Sequence, residues 1–267
     1  MVNNLKKYLR LYWHLIKFQV QLETEYRGSF ILEIFVEVAF FLATLISFFA
    51  IFSNISQISG WNIYEVAVLL GVNQIFSELL LGASFILNLR ELPSKIAKGG
   101  LDLILSKPIN SQFMVSLWRP YFAAIPSCVA GLLVIVYGVS RLGINISPLN
   151  LIPFLILLGL GLIIGYSFGM IICTLSMWLV NATPLPFLAQ QIIFVSRNPR
   201  SVFSGVFKFL SMTFVPLAFM VSIPAEMLLG KTSWLIILPA FIIAIVFLKI
   251  SNMFWLYALR HYSSASS

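Results

Sequence analysis

The sequence predicts an all-α integral membrane protein. It should have six transmembrane helices, an N-terminal amphipathic interface helix, and a fifth span whose outer end is broken or re-entrant. Three observations carry this expectation. Of the 267 residues, 60% are hydrophobic and only 10% are charged; a soluble domain carries about 25% charged residues, so this chain cannot cover its surface with polar groups in water. The apolar residues fall into runs close to the ~20 residues that cross a bilayer. These runs are continuous rather than alternating, which is the pattern of helices and not of strands. Finally, the basic residues gather at the ends of the runs, where they orient membrane helices. They do not form one patch interleaved with stacking aromatics, so the net charge of +8 does not imply a nucleic-acid partner.

Residues 1–27 read as a cytoplasmic interface helix. Lys6, Lys7, Arg10, His14 and Lys17 recur at helical steps, with Leu9, Tyr12, Trp13 and Ile16 between them. Basic charge opposite aromatic bulk suits the lipid headgroup region, making membrane lipids the first expected partner. The membrane-spanning body follows over 28–260, with spans at roughly 28–53, 63–88, 113–140, 151–180, 201–223 and 234–257. Residues 261–267 form a short tail.

Counting positive charges assigns the sides. The N-terminal segment, the loop at 90–112 and a third connection containing Arg197 and Arg200 are basic. The opposite connections at 54–62, 141–150 and 224–233 hold none, Arg141 and Lys231. Both termini are therefore expected in the cytoplasm of a multi-pass membrane protein.

The first and second spans contain polar groups that lipid does not tolerate. Glu33 and Glu37 are four residues apart and share a face. Gly71, Gln74, Glu78 and Gly82 form a second stripe at helical spacing. A carboxylate at a bilayer centre costs about 2.5–3.5 kcal/mol, so these groups face protein or water. Glu33, Glu37, Gln74 and Glu78 are candidates for a translocation path, and interhelical packing by hydrogen bonds remains the alternative. Gly159, Gly161, Gly165 and Gly169 form a small-residue face in the fourth span, expected to pack helices. The fifth span carries Pro216 and Pro224, then Glu226, Gly230 and Lys231. Proline removes a helical hydrogen bond, so a broken or re-entrant outer end is expected there.

Enzymatic chemistry is not expected. Residues 225–232, AEMLLGKT, imitate a phosphate loop, but Met227, Leu228 and Leu229 fill the positions where backbone N–H groups must cradle phosphate. His14 and His261 are the only histidines, and no spacing of His, Cys or carboxylates suggests a metal site or a catalytic residue. Cys128 and Cys173 lie inside apolar runs, so no disulfide framework is implied.

Four stretches resemble the permease subunits of type-2 ATP-binding-cassette exporters, in the bacterial six-span branch without a fused ATPase. They are Gly60–Glu65 at the start of the second span; Ile96–Asp102 with Leu105–Pro108 in the loop; Asn198–Phe203; and Pro216–Phe219 with Pro224–Gly230. Asn198 departs from the aromatic residue common before that proline. The resemblance implies a second permease, identical or related, and a separate cytosolic ATPase that holds ATP and magnesium. It implies a location in the bacterial cell (inner) membrane. It places the contact with the ATPase on the N-terminal helix and on Lys95, Lys98, Gly99, Gly100, Leu101, Asp102 and Pro108. Cargo does not carry over. An ion-gradient-driven carrier using Glu37 or Glu78 is the alternative, although no repeated halves are visible.

Overall fold

The computed structural model describes residues 2–82, 85–179, 182–206, 209, 211 and 215–262. Among these, five helices are long and apolar enough to cross a membrane. The first helix, α1 (Val2–Glu25), is separated from α2 (Arg27–Phe52) only by a break at Tyr26. Next come α3 (Ile63–Gly82), α4 (Phe85–Arg90), α5 (Leu92–Ala97), α6 (Gly100–Leu105) and α7 (Ser111–Leu117). The remaining elements are α8 (Ala124–Leu142), α9 (Pro148–Thr174), α10 (Leu185–Phe194), α11 (Leu217–Met220), α12 (Ser222–Leu228) and α13 (Ile237–His261).

The caps follow local sequence. Asn62 Oδ1 accepts from the Tyr64 and Glu65 N–H groups at 3.0 Å, and Glu65 Oε2 accepts from the Asn62 N–H at 3.0 Å. This reciprocal capping box fixes the start of α3. Asn110 caps α7 by accepting from the Phe113 N–H, and Ser147 caps α9 ahead of Pro148.

At the centre, α3 lies against α8 and α9. A Cβ on Gly71 would stand 2.7 Å from the Gly131 carbonyl oxygen, and one on Gly138 would stand 2.8 Å from the Tyr64 carbonyl oxygen. The two backbones therefore touch along a glycine seam, so close that any side chain would separate them. On α13, Ala240, Ala244, Ser251, Trp255 and Ala258 form one buried face at helical spacing, turned toward α9 and the start of α7. By contrast α2 leaves Phe35, Phe40 and Ile46 exposed, as a helix facing lipid or another subunit does.

The bundle has two ends. One carries α1, the 90–112 loop and the C-terminal part of α13: Lys7 Nζ donates to the Pro108 carbonyl at 2.8 Å, and Trp255 Nε1 donates to Ser111 Oγ at 3.1 Å. The opposite end carries the turn at Ile58–Trp61 and the Gly230–Lys231 turn, joined by a Lys231–Glu65 ion pair of 2.7 Å.

Three expectations about the spans change. The run at 113–140 is not one helix, because the chain breaks between α7 and α8 around Pro120, whose ring cannot continue the hydrogen-bond ladder. The connection containing Arg197 and Arg200 is not at the basic end. Arg200 pairs with Glu226 at 2.7 Å, its N–H donates to Ser222 Oγ, and Ser201 Oγ donates to the Ser59 carbonyl at 3.1 Å. These partners belong to the opposite half. The basic-end turn instead lies near Trp178, which stacks on Phe254 and Tyr257 of α13. The ascent therefore begins with α10, well before position 201, and charge counting failed because Arg200 is there to neutralise a buried carboxylate. Part of the expected 201–223 span, and the tail at 263–267, lie outside the described residues.

Candidate coupling loop and intramembrane polar cavity

Two features assemble the residues singled out from the sequence. The first is the loop at the basic end. Pro93 stands in the first turn of α5, where its missing N–H is harmless. The helix ends at Lys98 and Gly99, and Gly99 adopts φ 71°, a left-handed conformation that glycine takes without steric cost. Gly100 then starts α6. A Cβ there would meet the Lys95 backbone at 3.5 Å, an ordinary contact, so of the two glycines only Gly99 is required by conformation.

This helix–turn–helix plate is fixed from beneath by Leu92 and Leu101, both fully buried, and by Ile104. Lys95 bonds Glu91 at 2.8 Å and lies 5.0 Å from the centre of the Trp118 ring. Arg119 approaches the same carboxylate at 3.8 Å. The downstream strap is held by α1: besides the Lys7–Pro108 bond, the Asn110 N–H donates to Tyr8 Oη at 3.0 Å, and the Tyr8 and Phe113 rings meet edge to face at 5.1 Å. What faces outward is Lys98, Leu103, Leu105, Lys107 and Pro108. Leu103, within α6, is 71% exposed. Asp102 is partly buried in the first turn of α6, where a carboxylate favours the helix N-terminus.

The second feature is a cavity of about 540 Å³ between α2, α3 and α10, lined by Glu37, Gln74 and Glu78 together with Asn73, Ser77 and Tyr121. Gln74 Nε2 donates to Glu78 Oε1 at 2.8 Å, and Tyr121 Oη donates to Glu37 Oε1 at 3.4 Å. Glu78 is only 2% exposed, and its Oε2 accepts no hydrogen bond. Arg90 and Arg197 also reach the walls; the Arg90 guanidinium donates to Gln190 Oε1, and Arg197 lies over the Phe194 ring at 5.9 Å.

Beside this cavity, under α1, is a second chamber of about 710 Å³ that shares Glu37, Leu87, Arg90 and Tyr121 with it and adds Glu23, Glu33 and Glu91. Burial raises the Glu23 carboxyl above its usual range, an effect partly offset by its hydrogen bond from Gln19. Glu33 is exposed into this chamber, so the four candidate residues line the two adjoining chambers, Glu37 being shared by both. Gly71 does not join them; it faces α8 in the glycine seam. Gly161 and Gly165 pack as expected: a Cβ on Gly161 would meet the Met220 carbonyl oxygen at 2.8 Å, and one on Gly165 the Phe76 ring at 3.1 Å. Gly159 has no neighbour at that range and takes no part.

At the opposite end, Pro216 and Pro224 bracket a broken element. The break between α11 and α12 falls at Val221, and Gly230 closes α12 at φ 69° while the Lys231 N–H returns to the Glu226 carbonyl at 2.8 Å. Phe219 and Met220 touch the middle of α9 at Gly161, whereas Gly230 lies beside Asn150 near its start. The element thus runs from mid-bundle to the turn at the end opposite the basic loop, as a re-entrant segment does, and α12 is wholly buried. Glu226 is 5% exposed and paired to Arg200.

Sequence reasoning did not find Lys7 and Tyr8 as the clamp on the loop, nor Arg90, Gln190 and Tyr121 as cavity walls. These contacts join residues about a hundred positions apart, and no local pattern announces them. Only the aromatic-basic alternation of α1 hinted that its face meets something besides lipid.

A polytopic helical membrane protein with a rigid polar-end plate and an intramembrane cavity is the class that this architecture defines. The family described as ABC-2 family transporter protein matches residues 38–266, and the chain belongs to it. Its role is thus that of a membrane-embedded permease of an ATP-binding-cassette transporter. Neither a curated protein nor a solved structure matches the chain.

Proposed function

We propose that this chain is one permease of an exporter driven by a separate ATPase, and that the plate formed by α5 and α6 is the surface on which that ATPase acts. Both termini and the plate face the cytoplasm of a bacterial inner membrane, the ATPase holds ATP and magnesium, and a second permease completes the pathway. The observation that carries the reading is the plate's two-sided construction. Leu92 and Leu101 are buried into the bundle while Leu103 and Leu105, flanked by Lys98 and Lys107, are offered to solvent. Exposed apolar residues on a rigid support, rimmed by charge, mark an interaction site.

Force applied to α6 reaches the path by a short route. The plate continues through Glu91 into α4, whose Arg90 borders both chambers, and α4 follows the cavity-lining α3. The cavity opens between α2 and α10, and the apolar face of α2 is the surface on which a second copy would close it. ATP binding then shifts the balance between two arrangements of these helices to the extent that the ATPase grips them differently. Purification of the tagged chain from a mild detergent tests the proposal. A soluble ATPase should copurify and hydrolyse ATP, and Lys95→Glu/Lys98→Glu should retain membrane insertion while losing coupled transport. Purification without any ATPase, or full coupling in the double variant, would refute it.

A further inference from the structure

The permease reading leaves the cargo open, and the joined cavities bear on its chemistry. Resting on that reading, we infer that they take a lipophilic cation, an organic molecule with an apolar body and a permanent positive charge.

Glu78 provides the first argument. It is 2% exposed, well inside the bundle, with one carboxylate oxygen unpartnered. A buried carboxyl is accommodated by a cation, by a full set of hydrogen bonds, or by holding its proton until a cation arrives. Here Gln74 supplies one bond and nothing supplies the second. The cationic side chains on the facing elements do not fill the gap. Arg90 is turned to Gln190, Arg197 to the Phe194 ring, and Arg119 to Glu91 on the far side of the larger chamber. No ion pair joins Glu33, Glu37 or Glu78 to any of them among the described residues.

The shape of the walls supplies the second argument. Phe40, Phe41, Phe187 and Phe194 line the inner cavity beside the carboxylates. Ring faces attract a desolvated organic cation and repel an anion, and a volume of about 540 Å³ suits a small molecule. The larger chamber has Glu23, Glu33, Glu37 and Glu91 against Arg90 and Arg119, and it opens beneath α1. Acidic groups thus continue from the interface helix to Glu78, so a cation partitioned at the inner headgroup level meets carboxylates along the whole way in.

Titration of the purified permease in nanodiscs tests this, using tetraphenylphosphonium and tetraphenylborate, which share a shape and differ in the sign of their charge. The phosphonium should bind saturably above empty nanodiscs, with the borate at least about tenfold weaker. Glu37→Gln and Glu78→Gln should each weaken phosphonium binding by about tenfold or more, as expected for removing one partner of a buried charge contact. Glu25→Gln, on the exposed face of α1 and in neither cavity, should not. Equal binding of the two ions, or unchanged phosphonium binding in both cavity variants, overturns the inference. The comparison of ions uses the unaltered chain, so poor folding of a variant cannot decide it. Because no ATPase or ATP is present, a negative result leaves the permease reading standing. Conversely, absence of a copurifying ATPase would refute the permease reading without touching the binding result.

Discussion

Replacing Leu103 with serine isolates the docking surface from the fold. Leu103 is 71% exposed on α6, so its side chain contributes little to the permease's own stability. Full burial of a leucine side chain is worth about 1.5–3 kcal/mol, and the share still exposed here is therefore about 1–2 kcal/mol that docking can recover. Leu103→Ser should weaken ATPase binding by about 5- to 30-fold. The thermal unfolding of the purified permease should stay where it was. Leu101→Ser is the contrasting change, since Leu101 is fully buried; it should lower the unfolding temperature because it leaves a hydroxyl and a void beneath the plate. The assay is the affinity of the solubilised permease for its ATPase, measured alongside unfolding. Unchanged affinity in Leu103→Ser, with unfolding also unchanged, would refute the assignment of α6 as the gripped surface.

Other expectations follow from the same geometry. Gly99→Ala places a side chain at φ 71° and should cost about 1–2 kcal/mol, whereas Gly100→Ala, with its nearest neighbours at 3.5 Å, should be nearly neutral; comparison of the two unfolding curves checks this. Arg200→Gln strips the Glu226 carboxylate of its cation. Breaking a buried pair costs about 3–5 kcal/mol, and the lower end applies because the Arg200 side chain is 32% exposed. Adding Glu226→Gln should recover most of that loss, and a double variant no more stable than the single would show that the pair is not the cause. Tyr8→Phe with Lys7→Met should free α1 from the loop, detected as faster hydrogen exchange at residues 108–113 while the α3–α8 seam stays protected.

The long helices were legible because their cause is local. Apolar runs of membrane length and a capping box at Asn62–Glu65 are written in neighbouring residues, and so are the prolines that break 216–230. The Glu37, Gln74 and Glu78 convergence was legible for a similar reason: helical spacing puts each pair on one face, and lipid forbids them to face outward. What could not be read was tertiary. Gly71 shares the stripe of Gln74 and Glu78 in sequence, yet it serves the seam with Gly131, because close approach to α8 is decided by residues sixty positions away. Arg200 shows a different failure. Its charge counts as a marker of side in the sequence, but it is engaged with Glu226, and charge counting cannot distinguish a cation that orients a loop from one that neutralises a buried acid. The Gly99–Gly100 turn falls between the two cases. The pair signalled the end of a helix, but only backbone conformation tells which glycine is obligatory.

Cross-linking from the plate tests the central claim most directly. Leu103→Cys in a Cys128→Ser/Cys173→Ser background would carry a photoreactive thiol label, with Val206→Cys as control because Val206 is 75% exposed and lies away from the plate. Illumination of native membranes should join position 103 to a soluble ATPase, more strongly in one nucleotide state than in the other, and should give no such product from position 206. Equal products from both positions, or none from position 103 while the ATPase remains bound, would contradict the account.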